Sequence, residues 1–373
     1  MRVIFYCDWF KEYTTNLVLA AAEHVAESVV ITRAATHEFE GRREDEADLH
    51  SRLSARGARV VTLPGGYFSR EALKLLRQRI YRRRQYAAYD VFHLQVTYDP
   101  RFLWMAWRMP TVLTLHEPRP RTGLPTEPGL RGVARRGFRR LYRMFADIII
   151  VHTAPGLRDL NPRERRKARV IPHGVDVRPT GEAHRSTTIL FFGRVAGYKG
   201  IDTLVAAMEE VWEKRPDARL QILANPGDGI DGLDTAVYDP RIHATWYGYS
   251  TCDLDQALST ARAVCLPYLS VSGSGVGAQA LGAGVPIVAS NLEGLREFVS
   301  HPDLLVEPGS VNDLSRALLA ALDHDYPPKA IDPRTTWPAV AQAHLAVYES
   351  LIRRRRGAND PHRGLTPRAH RAL

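Results

Sequence analysis

Short apolar runs alternate with amphipathic stretches along most of this chain. RVIFYC (2–7), SVVITR (28–33), ARVVTLP (58–64), DVFHLQ (90–95), TVLTLHE (111–117), ADIIIVHT (146–153) and ARVIPHG (168–174) read as strands. Between them TTNLVLAAAEHVAE (14–27), SREALKLLRQRIYRRRQY (69–86), Phe102–Trp107 and residues 130–145 carry apolar residues at helical spacing. HEFEGRREDEAD (37–48) is expected to be a charged loop. A second series begins at Thr188: strand TILFFGRV, helix 202–215, strand RLQILA (219–224), loop NPGDGIDG (225–232), strand HATWYG (243–248) and helix DLDQALSTA (253–261). Strand AVCLPYL (263–269), short helix AQALGAG (278–284) and strand VPIVAS (285–290) follow, and helices 311–322 and 337–354 close the chain. Such alternation predicts α/β architecture with mostly parallel sheets covered on both faces.

The polar, irregular stretch from Asp176 to Arg185 predicts a domain boundary. The division expected is residues 1–178 and 179–335 as two doubly wound, Rossmann-like domains facing across a cleft, 336–356 as a closing helix, and 357–373 as a disordered basic tail. In open sheets of this kind ligands sit beyond the carboxyl ends of the strands. That puts Asp8–Lys11, His93–Tyr98 and His116–Arg119 on one wall. Gly193–Lys199, Tyr247–Tyr249 and Val271–Gly277 form the other.

A chain of 373 residues with 45% hydrophobic and 25% charged residues fits two soluble globular domains. Its three cysteines, Cys7, Cys252 and Cys265, have no metal-ligand spacing and point to a reducing compartment. MRVIFYCDWF turns polar at Asp8, too early for a signal peptide. No run approaches the roughly 18 apolar residues of a membrane span. The expected location is therefore cytoplasmic. The formal charge is +10, with arginine clustered at 81–86, 131–143, 162–169 and 352–357. That excess suits nucleic acid, anionic lipid or phosphorylated small molecules, and equally a solvated arginine-rich surface.

Chemistry concentrates in LPYLSVSGSGVGAQALGAGVPIVASNLEGLRE (266–297). Ser270, Ser272, Gly273, Ser274, Gly275 and Gly277 form a small-residue loop opening a helix, where exposed backbone N–H groups favour phosphate. The same residues offer a rival. Gly273-x-Gly275-x-x-Ala278 is a legal dinucleotide fingerprint, and Glu293 would suit an NAD ribose. FFGRVAGYKGIDTL (191–204) supplies the companion feature. Arg194 and Lys199 flank a glycine-containing turn and can grip two phosphates from the opposite side.

FGRVAGYKGIDTL followed by the Ser-Gly stretch resembles the donor-binding half of glycosyltransferase family 4, retaining enzymes of the GT-B fold. TLHEP (114–118) is similar to that family's strand-end His motif, VIPHGVD (170–176) to the segment leading into its second domain, and VEPGSVNDLSRAL with the helix around Trp337 to its closing region. The resemblance covers about residues 90 to 350. It implies a retaining transfer from a nucleotide-sugar to an acceptor hydroxyl on the same sugar face, with no protein nucleophile. Arg194 and Lys199 would hold the diphosphate beside Gly193, and Ser272, Ser274, Gly275, Val276 and Gly277 would cradle phosphate and sugar. Tyr249 would border the nucleobase, and His116 would line the sugar's reactive face. Many members carry a pair of glutamates where this chain has Val271 and Gln279. Gln279 can still bond a ribose hydroxyl, and Val271 cannot substitute, which leaves the donor's identity open and admits a catalytically silent member.

On the acceptor side the candidates are Asp8, Trp9, Lys11 and Glu117, the last as a base or as an orienting partner of His116. His93 and His152 read as structural, His173 as fixing a turn, and Glu297 as a cap or ion-pair partner. Helices 69–86 and 130–145 pair an apolar stripe with arginine, suited either to an anionic bilayer at the inner membrane surface or to an ordinary wet face. The acceptor is expected to be a glycan, a lipid-linked molecule or a small molecule. No cofactor is implied beyond the nucleotide-sugar substrate. No metal site is implied either, since Asp253-Leu254-Asp255 opens a helix and suits capping. The competing functions are an NAD-dependent oxidoreductase, which leaves Arg194 and Lys199 unexplained, and a basic nucleic-acid-binding protein, for which no reading module is present.

Overall fold

The computed structural model describes residues 1–34, 43–64, 69–80, 86–95, 99–119, 129–178, 186–225, 239–246 and 248–358. Two parallel sheets organise them. The first holds β1 (Arg2–Tyr6), β2 (Glu27–Arg33), β3 (Arg59–Leu63), β4 (Val91–Leu94), β5 (Thr111–Thr114), β6 (Ile148–Val151) and β7 (Ala168–Val170), in the order β3-β2-β1-β4-β5-β6-β7. The second holds β8 (Thr188–Arg194), β9 (Arg219–Asn225), β10 (Ile242–Thr245), β11 (Ala263–Leu266), β12 (Ile287–Ser290) and β13 (Leu305–Val306), in the order β10-β9-β8-β11-β12-β13. β4, β5, β6, β11 and β12 are buried at every position, which is why they read as unbroken apolar runs. β11 stops at Leu266 because Pro267 has no N–H for the ladder.

In each sheet the strand order reverses once, between β1 and β4 and between β8 and β11. The carboxyl ends of these four strands deliver Cys7–Phe10, Gln95, Val195–Lys199 and Pro267–Gly275 to the places where such sheets bind ligands.

The helix Trp337–Ala358 returns to the first domain. Its Val340, Ala341, Leu345, Tyr348 and Leu351 share a core with Val3, Phe5, Leu17 and Val18. One expectation is corrected: residues from Arg43 lie in the helix Arg43–Ala55, not a loop. Leu49 and Leu53, at 6% and 2% exposure, bury its only strong apolar face, so the surrounding charge conceals the period. The expected loop 225–232 and the tail from residue 359 lie outside the described residues. So do residues 81–85 of the expected helix 69–86, and Val96–Tyr98 and Tyr247 of the expected cleft walls.

Candidate functional site

The helix Gly275–Gly282 begins where the sequence predicts an anion cradle. Ser274 caps it, its Oγ accepting from the Gly277 amide at 3.0 Å, and the Ala278 amide bonds the Ser274 carbonyl at 3.1 Å. The Gly275 and Val276 amides bond no other described residue, so the first turn presents two N–H groups at the positive end of the dipole. The turn after β8 comes to meet them. Leu269 N donates to Tyr198 O at 2.7 Å, tying the two loops together. Gly193 has φ +110°, and a Cβ there would lie 3.0 Å from Lys199 Nζ and 3.0 Å from Val276 Cγ2. Lys199, only 6% exposed, therefore brings its ammonium beside the first turn of the helix, 5.2 Å above the Tyr268 ring. Arg194, half-buried at the end of β8, forms no ion pair with another described residue.

The opposing wall is built of imidazoles. His116 is stacked on Phe10 at 3.6 Å, and Phe10 takes the left-handed conformation (φ 63°) that opens the helix Lys11–Ala21. His116 Nε2 meets Gln95 Oε1 at 2.8 Å and its Nδ1 meets His152 Nε2 at 3.0 Å. His152 Nδ1 meets the Ile171 carbonyl at 3.0 Å. Behind them His93 is held by Tyr348 at 2.6 Å and Thr114 at 2.8 Å. Burial disfavours the charged form of every one of these rings. It pushes His152 down to about 3 and holds His93 and His116 well below the ordinary imidazole value, with the neighbouring imidazoles adding to the effect. Among the described residues no group of three or more His, Cys, Asp or Glu is arranged to hold a metal ion.

Several predicted residues are placed differently from their expected exposure. Asp8, 1% exposed, turns inward: Tyr6 Oη donates to it at 2.8 Å, and Arg33 pairs with it at 3.4 Å and with Asp99 at 3.0 Å. Arg101 also pairs with Asp99, so two carboxylates face two guanidiniums in a closed cluster. Burial raises the Asp8 pKa, and the Arg33 charge opposes it. Lys11, 4% exposed, donates to the Arg33 carbonyl at 2.8 Å and pairs with Glu46. Trp9 packs against the core of the first sheet. Glu117 is partly buried, and its carbonyl accepts from Arg139 at 2.7 Å. Tyr249 lies in the core of the second domain at 7% exposure, leaving little of its ring for a base. Glu293, the carboxylate suited to an NAD ribose, pairs with Arg158 of the other domain. Gln279 reaches Glu12 at 3.3 Å.

Contacts between the halves were not foreseen. Thr153 Oγ1 donates to the Ser272 carbonyl while accepting from Gly156 N at 3.1 Å, which seats the Ser-Gly loop against the first domain. The signal available in the sequence was Thr153, just past the carboxyl end of β6, where a residue able to cap the next helix stands on the ligand side of the sheet. A cavity of about 390 Å³, lined among others by Trp107, Met109, Phe145, Arg354 and Arg355, opens at the amino ends of β5 and β6. It lies across the sheet from the cleft and is a separate feature.

Two parallel sheets, each reversing its strand order once, with a cation-and-amide turn at the switch point of the second, make a two-domain GT-B architecture. Residues 11–178 match the family described as Glycosyltransferase Family 4, and residues 186–324 match Glycosyl transferases group 1. The fold superposes on Anabaena HepE, solved with UDP and glucose, with a TM-score of 0.64 at 14% identity over 96% of this chain and 99% of that one. A sucrose-phosphate synthase of Thermosynechococcus elongatus gives 0.60 at 19% identity over 96% and 98%. The chain belongs to the family-4 glycosyltransferases of GT-B fold. Among curated relatives, an MMP alpha-(1->4)-mannosyltransferase of Mycolicibacterium hassiacum is 29% identical over 50% of this chain and 49% of that protein. A D-inositol 3-phosphate glycosyltransferase of Corynebacterium aurimucosum is 27% identical over 64% of each. An uncharacterised glycosyltransferase of Methanocaldococcus jannaschii is 34% identical over 30% of this chain and 29% of its own. The matched segments thus span less than two thirds of these three relatives.

Proposed function

We propose that the protein is a retaining glycosyltransferase that moves a sugar from a nucleotide-sugar to an acceptor hydroxyl without a divalent metal. The observation that carries this reading is the convergence of the Lys199 ammonium and the Val276 side chain, in the first turn of the amide-presenting helix, over Gly193 at the switch point of the second sheet. Lys199 and Arg194 neutralise the diphosphate from one side, and the amides hold it from the other. The glycosidic C–O bond to phosphate breaks with its electron pair passing to the phosphate oxygen. The acceptor oxygen bonds the same sugar face and gives its proton to that leaving oxygen, so no protein nucleophile is used. His116 has both ring nitrogens engaged and shapes the wall facing the sugar without supplying an N–H to it.

The relatives' names, a mannosyltransferase and D-inositol 3-phosphate glycosyltransferases, favour a hexose donor and a small or glycan acceptor. The first domain selects the acceptor in this reading. The arginine-rich helix Gly129–Phe145, with Val133 and Met144 exposed, supports peripheral contact with an anionic membrane at the cytoplasmic face and access to a lipid-linked acceptor. No helix among the described residues is long and apolar enough to cross a membrane.

The test is a thermal-shift panel of UDP, GDP, ADP and NAD, followed by transfer assays with the matching nucleotide-sugars and NMR of the product anomer. Stabilisation by one nucleoside diphosphate, lost in Arg194→Ala and Lys199→Ala, is expected, with retained anomeric configuration. A shift with NAD alone, or an inverted anomer, overturns the reading. Co-sedimentation with anionic and neutral vesicles tests the membrane contact, which fails if anionic lipid makes no difference.

A further inference from the structure

Hydrogen bonding at the ring nitrogens separates one histidine of the cleft wall from its neighbours. Both nitrogens of His93, His116 and His152 are engaged as described above, and His344 bonds the Val340 carbonyl at 2.8 Å and Tyr13 Oη at 3.4 Å. His173 differs. Its Nδ1 meets the Gly174 carbonyl at 3.2 Å, which fixes the proton on Nδ1 and leaves Nε2 as a lone pair. That Nε2 bonds no described residue, and it lies 3.2 Å from where a Cβ would stand on Gly275. Among the described histidines of the cleft wall, the imidazole with a nitrogen to spare therefore faces the first residue of the phosphate-cradling helix, across the interdomain boundary.

We propose that His173, through Nε2, contacts the donor's diphosphate and takes up a proton as that anion binds. The inference rests on the reading of the Gly275–Gly282 turn as a diphosphate site. A lone pair aimed at a phosphate oxygen repels it, whereas an N–H donates to it, so the anion and the proton must arrive together. Burial disfavours charge on His173, and the Gly174 carbonyl partly offsets this.

The groups around the ring leave the arriving phosphate as the counter-charge. Tyr13 from the helix Lys11–Ala21 lies 5.1 Å away, His152 5.3 Å, His116 6.5 Å and Trp337 6.2 Å, and none is an anion at neutral pH. Glu12, beside Tyr13, is turned to Gln279, and Asp176 on the His173 segment is exposed. On the facing element the described cation is Lys199, whose ammonium lies beside Val276. Because binding raises the His173 pKa from a depressed value, affinity gains as pH falls through the bound-state pKa and levels off below the free-state one.

Calorimetric titration of UDP and GDP in buffers of different ionisation enthalpy, at several pH values, tests this in wild type and in His173→Gln. Expected is uptake of a fraction of a proton per bound diphosphate in wild type and none from this group in the variant. The variant's affinity falls about tenfold at pH 6 and about twofold at pH 8.5. Protonation of the diphosphate itself is common to both proteins and cancels in their ratio. Equal proton uptake and equal affinity in His173→Gln overturns the assignment while leaving the glycosyltransferase reading intact. If neither diphosphate binds the wild type, both fall. A ring-nitrogen NMR spectrum of the wild type supplies an independent readout. His173 Nε2 moves from the unprotonated to the protonated range on saturation with diphosphate, and an unmoved signal refutes the proposal even if the variant misfolds.

Discussion

Replacing Gly193 by alanine tests the convergence on which the site depends, and Gly197, in the same turn, provides the control. At φ +110° an L-residue occupies backbone territory that is essentially glycine's, at a cost of roughly 1–3 kcal/mol. The new methyl also stands 3.0 Å from Lys199 Nζ and from Val276 Cγ2. The lysine tip can withdraw cheaply, so this contact adds little to the folding cost, but withdrawal takes the ammonium away from the helix turn. Losing one charge-assisted bond to phosphate weakens binding by about 10- to 100-fold. Gly197 is exposed, has an ordinary φ and has nothing within 4 Å of a Cβ, so Gly197→Ala should stay within about 0.5 kcal/mol of wild type. Thermal unfolding with and without the preferred nucleoside diphosphate separates the two effects. Gly193→Ala should melt about 2–12 °C lower and lose most of the ligand-induced shift, and Gly197→Ala should match wild type in both. A Gly193→Ala protein that is destabilised yet binds diphosphate normally would falsify the claim that Lys199 and the helix turn share one ligand.

Three further outcomes follow from the same geometry. Gly277→Ala puts a methyl 2.6 Å from the Phe298 ring and should cost about 1–3 kcal/mol in urea unfolding, largely restored by adding Phe298→Leu; no loss means that the ring moves freely. Thr153→Val removes the bond to the Ser272 carbonyl and the cap on Gly156, so amide exchange across Ser272–Val276 should quicken, and unchanged exchange would show that the contact does not hold the loop. His344, fully buried and pushed down to about 4 first by burial, binds a proton in the unfolded chain that the folded chain refuses. Its stabilising contribution is therefore complete above pH 6.5 and lost as pH falls towards 4, about 3 kcal/mol in all; His344→Leu should flatten that part of the pH–stability curve, and an unchanged slope would assign the acid sensitivity elsewhere.

The inner strands β4, β5, β6, β11 and β12 were legible because each is buried on both faces and so must be apolar nearly throughout, as IIIV of β6 and AVCL of β11 are. The Ser-Gly turn was legible because a helix must be capped locally, and Ser274 and Gly277 sit three residues apart to do it. The helix Arg43–Ala55 was not, since two leucines are a weak period in a charged segment. Nor was the role of the closing helix, whose apolar face says that it packs but not on which domain. Partners set by tertiary approach left no local trace. Asp8 reads as a strand-end carboxylate whether it faces solvent or Arg33, and Glu293 suits a ribose until Arg158 claims it. Gln279 likewise faces Glu12, although nothing near either residue in sequence predicts the other.

The two walls of the cleft differ in electrostatic character, and the difference follows from what each sheet places at its reversal. The second sheet delivers Arg194 and Lys199 with two unengaged amides, a fixed positive field. The first delivers imidazoles kept neutral by burial, with the nearby carboxylates Asp8 and Asp99 matched by Arg33 and Arg101. In the proposed reading an arriving diphosphate is drawn mainly to the positive wall, the Glu12 carboxylate of the first domain being turned to Gln279. In the proposed mechanism the neutral wall faces the part of the donor where positive charge develops as the C–O bond breaks. A lysine there would repel that charge, and a free carboxylate would invite a covalent side reaction. Packed imidazoles do neither, which in the proposed mechanism leaves the phosphate's own oxygen to take the proton of the incoming hydroxyl. His173 is the point where the neutral wall touches the positive one. In the arrangement proposed above it is the group whose charge follows the diphosphate in and out of the site.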